Sequence, residues 1–164
     1  MMRRCVCVSL LLLFLIPVLA SPQQDKFLSR LQGDWEGDGN ALGGTAHLRI
    51  KWVWVLDNKF LRLTLKSEMT TANGAKQVFE GQAYYRSNGA DKYAAHWFDS
   101  RGVAFPINAQ LDGNTLVALW GSPESEQGKS TYQLIDETTM EVVDLVKQKD
   151  GTFREFGRAK LKRM

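Results

Sequence analysis

The stretch from Thr45 to Leu56, TAHLRIKWVWVL, constrains the fold of this chain more than any other. It runs twelve residues without Gly or Pro. Ala46, Leu48, Ile50, Trp52, Trp54 and Leu56 fall on one parity, against Thr45, His47, Arg49 and Lys51 on the other. That period of two is the signature of a β-strand with one face in a core. At ~3.4 Å per residue the strand spans about 40 Å, which suits the wall of a barrel or a strongly coiled sheet. Downstream, the same unit repeats. Asp57-Asn58, Asn73-Gly74, Asn88-Gly89, Arg101-Gly102, Asp112-Gly113, Gly121 to Gln127, Asp136-Glu137 and Asp150-Gly151 separate β-rich runs at near-even spacing. Asn-Gly and Asp-Gly are strong hairpin signals.

The runs between the turns are Phe60–Thr70, Lys76–Arg86, Lys92–Ser100, Val103–Leu111, Thr115–Trp120, Lys129–Ile135, Met140–Lys149 and Thr152–Arg163. With the central strand and an earlier one opening at Gly33, the chain has about ten strands. No connection is long enough for a crossover helix, so the expected topology is an antiparallel up-and-down meander. A meander of that size removes its own edges most simply by closing into a barrel. The fold class is therefore all-β, with one short N-terminal helix: Phe27, Leu28 and Leu31 fall at helical spacing in DKFLSRL, Asp25 to Leu31. That helix is placed to plug one barrel end. Ten strands enclose more interior than their walls fill, as in small-ligand carriers.

Residues 1–20 read as a signal peptide, and residues 21–164 as the barrel domain. Arg3 and Arg4 precede an apolar run from Cys5 to Val18, and Val18-Leu19-Ala20 sets cleavage after Ala20. The run is short for a membrane span and contains Pro17, so no stable membrane insertion is expected after cleavage. The expected destination is the periplasm or the exterior. Removing this segment takes away two of the charges in the net +3, and both cysteines, Cys5 and Cys7. The remaining 144 residues carry no electrostatic case for nucleic acid and no thiol for disulfides. They are enough for a single buried core. Oligomeric state is not fixed by these features.

Trp52, Trp54, Trp97 and Trp120 are dense for a domain of this size. Close-packed cores favour Leu, Ile and Val, whereas aromatics suit a cavity wall. Tyr85, like Tyr84 and Tyr93, adds hydroxyls that orient a ligand. His96, in YAAHWF, is the histidine with apolar neighbours. His47 shares a face with Arg49 and Lys51 and reads as solvated. The candidate ligand-binding set is thus Trp52, Trp54, Tyr85, His96, Trp97 and Trp120, around a small hydrophobic molecule. Catalytic signatures are weak. Tyr132 stands where G-x-S-x-G needs its second glycine. Two histidines and no mature cysteine make no zinc cluster. Asp136, Glu137, Glu141 and Asp144 lack EF-hand spacing. Glu80 reads as an outward charge. No enzyme activity, metal or cofactor is expected; the alternatives are a haem-binding or enzymatic barrel using His96, and a filled barrel without a ligand.

One motif carries a resemblance. Gly33-Asp34-Trp35-Glu36-Gly37-Asp38-Gly39 follows the short helix and opens the hairpins. It resembles the G-x-W opening strand of the calycin group: lipocalins, fatty-acid-binding proteins and nitrobindin-like barrels. The form at Gly33, Trp35, Gly37 and Gly39 is most similar to nitrobindin and to uncharacterised secreted bacterial domains of this group. The WFDSRG turn, Trp97 to Gly102, is similar to the latter. The resemblance implies a ligand-binding barrel with Trp35 plugging its base. It also implies an arginine of the last strand, Arg158 or Arg163, lying over that indole. Two departures follow. Only Asn40 to Gly44 separates the first two strands, so the helical portal of fatty-acid-binding proteins is missing. The nitrobindin haem histidine has no counterpart in Thr152 to Met164, so that ligand is not carried over.

Overall fold

Period-two alternation places ten strands in the computed structural model, which describes residues 25–164. The expected leader and its cleavage point lie outside the described residues. After helix α1 (Lys26–Leu31) come β1 (Gly33–Ala41), β2 (Gly44–Val55), β3 (Phe60–Thr70), β4 (Lys76–Ser87) and β5 (Lys92–Asp99). Then follow β6 (Ala104–Asp112), β7 (Thr115–Trp120), β8 (Gly128–Asp136), β9 (Thr139–Lys147) and β10 (Phe153–Arg163). Each strand pairs with its sequence neighbours, all antiparallel, and β1 pairs with β10 to close the barrel. The expected meander is the observed one, with strand limits within two residues of those read from the turns.

Closure needs β1 and β10 to coil tightly around each other. A Cβ on Gly37 would stand 2.1 Å from the Lys160 carbonyl oxygen, and one on Gly39 2.0 Å from that of Arg158. Alternate glycines on β1 are therefore a steric requirement of the seam. Next to the seam, β10 carries a bulge between Glu155 and Gly157, which bends the strand inward at one residue.

The two barrel ends differ. At one end α1 lies across the opening and buries Phe27, Leu28 and Leu31. Asp25 caps the helix by accepting from the amides of Phe27 and Leu28, each at 3.0 Å. Tyr93 donates its hydroxyl to the same carboxylate at 3.1 Å, tying the cap to β5. Arg163 closes this end. Its guanidinium lies 4.1 Å from the centre of the Trp35 ring and donates to the carbonyls of Arg30, Gln32 and Glu137. Trp35 in turn donates from Nε1 to the Leu31 carbonyl at 2.8 Å. One arginine thus satisfies carbonyls left open at the C-terminal end of the helix and covers the plug indole. Of the two arginines the resemblance allowed, Arg163 holds the place. Arg158 faces outward and pairs with Glu141 and Glu155.

Trp35 is 1% exposed, and its removal leaves a void between helix and barrel. Trp35→Ala is expected to cost about 3–5 kcal/mol in urea unfolding, as for other large buried aromatics. A loss under ~1 kcal/mol would take Trp35 out of the core.

Candidate functional site

Toward the opposite end the barrel is hollow. A cavity of about 730 Å³ opens between the hairpin loops there, within the ~300–1,000 Å³ usual for small-molecule sites. Two tryptophans shape its wall, each lying flat over a glycine on an adjacent strand. Trp97 on β5 covers Gly81, where a Cβ would stand 2.1 Å from the indole. Trp120 on β7 covers Gly128, with a Cβ at 2.0 Å. Each indole is stacked on a phenylalanine: Phe79 with Trp97 at 6.3 Å, and Phe105 with Trp120 at 5.6 Å between ring centres. The glycines turn what would be filled volume into flat aromatic wall.

A polar group sits within this apolar surround. Trp120 donates from Nε1 to Ser130 Oγ at 3.2 Å, and Ser130 donates to Asp144 Oδ1 at 2.5 Å. Asp144 lines the cavity, on the inward parity of β9 shared with Met140 and Val142. Burial pushes its carboxyl up to about 6, against the smaller opposing effect of the Ser130 hydroxyl. Tyr85 and Tyr132 also line the cavity; burial is the main reason both phenols are held well above their ordinary range, and the nearby Asp144 charge adds to it. At the mouth, Arg101 pairs with Asp99 at 2.9 Å and Glu126 at 3.1 Å, and covers the Phe79 ring at 5.7 Å. Burial raises the Asp99 carboxyl, but hydrogen bonds from Arg101 and Trp97 outweigh it, so the net shift is downward. Asp99 thereby fixes both the Trp97 Nε1 (2.9 Å) and the guanidinium.

Three of the six residues expected from the sequence, Tyr85, Trp97 and Trp120, meet in this cavity. Trp52 does not line it. Its ring stands 5.4 Å from Tyr85 and 5.3 Å from Tyr132, behind them on the plugged side, and is 1% exposed. Trp54 lies further toward the helix end, half-buried against the core. Alternation sets the face of a strand, not the height along it, and the second half of β2 runs into the filled base. His96 is exposed on the outer face of β5, between Tyr84 and Pro106 on the adjoining strands. Its alternation partner Trp97 took the inward side. A haem held by His96 would sit outside the barrel, and no histidine or cysteine is among the residues lining the cavity; the donor set there does not fit an imidazole-ligated haem. His47 also points outward. It sits between Asp38 and Glu36, each at 2.7 Å, and both raise its pKa, Asp38 more strongly.

Ser130, Tyr132 and Asp144 were missed in the sequence as members of a site. The parity Met140, Val142, Asp144, Val146 carries the signal for Asp144, but Val143 and Leu145 on the other parity mask it.

No protein-family model matches the chain, and no curated protein matches it in sequence. In fold it is similar to the crystal structure of Rv2717c from M. tuberculosis, with a TM-score of 0.65 at 14% identity over 86% of this chain and 99% of that one. It is also similar to the S-type phycobiliprotein lyase CPES from Guillardia theta, with a TM-score of 0.59 at 8% identity over 84% of this chain and 89% of that one. Identities this low speak for the fold alone: a closed, ten-stranded, calycin-like barrel.

The Asp144 shift has a measurable consequence. A carboxyl raised in the folded state binds more protons folded than unfolded between its unfolded value, near 4, and about 6. Its ionisation therefore lowers stability as pH rises through that window. Relative to wild type, Asp144→Asn is expected to gain about 2 kcal/mol between pH ~4 and pH ~7. Urea unfolding of both proteins across that range checks it, and a flat difference would mean that the Asp144 carboxyl is not raised in the folded state.

Proposed function

We propose that this protein is a secreted or periplasmic binding barrel that takes one small, mainly apolar molecule into its lumen. The observation that carries the reading is the half-hollow barrel, filled by the helix plug at one end and walled at the other by Trp97, Trp120, Phe79 and Phe105. Affinity comes from removing ligand surface from water, at ~25 cal/mol per Å². A ligand hiding about 300 Å² of apolar surface gains ~7 kcal/mol, before the cost of ordering it. The polar group at Ser130 and Asp144 sets orientation. No catalytic step belongs to this reading. One fold neighbour is named a phycobiliprotein lyase; a shared barrel does not transfer that activity.

The neutral dye N-phenylnaphthylamine tests uptake. Saturable fluorescence at one site in the native protein, lost on unfolding, is expected. Trp97→Ala and Trp120→Ala are expected to weaken the dye at least about fivefold, since each removes wall area worth ~1 kcal/mol or more. Trp52→Ala, which removes filled core, is expected to cost about 3–5 kcal/mol of stability instead. Native protein that takes up no dye would end the binding reading. Export is tested separately: protein recovered from its host is expected to begin at Ser21, and a start upstream of Ala20 would remove the exported reading.

A further inference from the structure

We propose that the molecule taken up is a lipophilic amine, whose protonated nitrogen docks on Asp144 while its hydrocarbon lies against Trp97 and Trp120. The inference rests on the lumen being a binding site, as proposed above, and names the ligand class.

Asp144 is a carboxyl on the inner wall of a mainly apolar cavity, and no cationic side chain of the described residues pairs with it. Its Oδ1 accepts from Ser130, and no residue described here forms an ion pair with it. The groups facing it are Ser130 and Tyr132 from β8, Tyr85 from β4, and Gly157 from β10. None of these is a cation. Gly157, its cross-strand partner at the bulge, leaves room beside the second oxygen; a Cβ there would stand 3.7 Å from Oδ2. Three arginines line the cavity: Arg101 is engaged by Asp99 and Glu126, Arg158 by Glu141 and Glu155, and Arg154, exposed opposite Val146 toward the mouth, makes no ion pair with Asp144. The Ser130 hydroxyl is held between Trp120 and Asp144, so its proton is committed to Oδ1. What the site lacks is a donor for Oδ2.

The chemistry of the occupant follows from that lack. A carboxylate held in an apolar lumen with no protein donor on one oxygen is poorly compensated, and a charge-assisted donor removes that cost. An anionic head group placed at this depth would face the same charge. A neutral hydrocarbon would leave the carboxylate dry and unpaired. An ammonium satisfies Oδ2, and the faces of the surrounding aromatic rings attract it further. Near neutral pH, above the carboxyl's value of about 6, Asp144 is mainly ionised and the pair is charge on charge.

Decylamine, decanol and decanoate share one chain length and differ in head group. Each is titrated against protein loaded with N-phenylnaphthylamine. At about pH 7.5 decylamine is expected to displace the dye at least about tenfold more strongly than decanol, the gain typical of a charge-assisted hydrogen bond. Decanoate is expected to be the weakest. The amine's lead should shrink toward parity by about pH 4.5, as Asp144 gains its proton while the amine keeps its own. Asp144→Asn should place amine and alcohol level throughout. If that variant does not fold, the pH series on wild type decides. Parity at about pH 7.5, or a lead for decanoate, overturns the amine inference while leaving dye uptake standing. A lead that persists unchanged to about pH 4.5 assigns the amine to a group other than Asp144 and overturns it too. Failure of dye uptake removes both readings together.

Discussion

The rest of the barrel depends on how its base is closed. Arg163, the last residue of β10, lies over Trp35 of β1 and donates to carbonyls of the helix and of the β8–β9 turn. Those groups come from opposite ends of the described chain. An up-and-down barrel has no interlocking of strands, so the β1–β10 seam is held only by its ladder and by such contacts. A planar guanidinium suits the place because it stacks and donates at once; an ammonium donates but cannot stack as a plane. With the helix fixed, Leu28, Leu31, Trp35 and Trp52 form a filled layer. Everything above that layer is free to stay open.

Openness needs its own devices, because side chains of ordinary size would collapse into a ten-strand interior. Gly81 and Gly128 let Trp97 and Trp120 lie flat along the wall rather than point into the space. The Asp99–Arg101–Glu126 group holds one of those indoles and joins two mouth loops, β5–β6 and β7–β8. These contacts hold the wall in place without a ligand, which on the proposed binding reading lowers the ordering cost. Exposed ion pairs like Arg101–Glu126 are worth little in stability; their value here is in position.

The fold was legible because its signals are local. Asn-Gly and Asp-Gly turns bounded the strands. The site was half legible. Period two told which residues of β2 face inward, but not that Trp52 and Trp54 fall in the plugged base; height depends on shear between strands, which no single strand records. His96 and Trp97 posed the opposite difficulty. Both parities of that run looked apolar, and the choice was made by the neighbours: Gly81 leaves space for an inward indole, and Pro106 lies across from an outward imidazole. The pairing of His47 with Asp38 needed the β1–β2 register, where the two stand directly opposite. Asp144 was masked because β9 is apolar on both faces.

That masking bears on what the carboxyl is for. A strand reading Met140, Val142, Asp144, Val146 on its inner face would pack more stably with a fourth apolar residue in place of the acid. Ser130 supplies a single hydrogen bond, and burial raises the carboxyl's pKa against it. The filled base can carry that cost, because the acid lies above the layer on which folding depends. The lumen is also wide enough to admit water to the carboxyl when it is free of ligand. Displacing that water with an apolar molecule would strip the carboxylate of its remaining solvation, so on the proposed reading Asp144 acts against ligands without a donor as much as it favours those with one. On the binding reading proposed above, selectivity resides in one residue placed where stability did not ask for it, and the aromatic wall supplies affinity without discrimination.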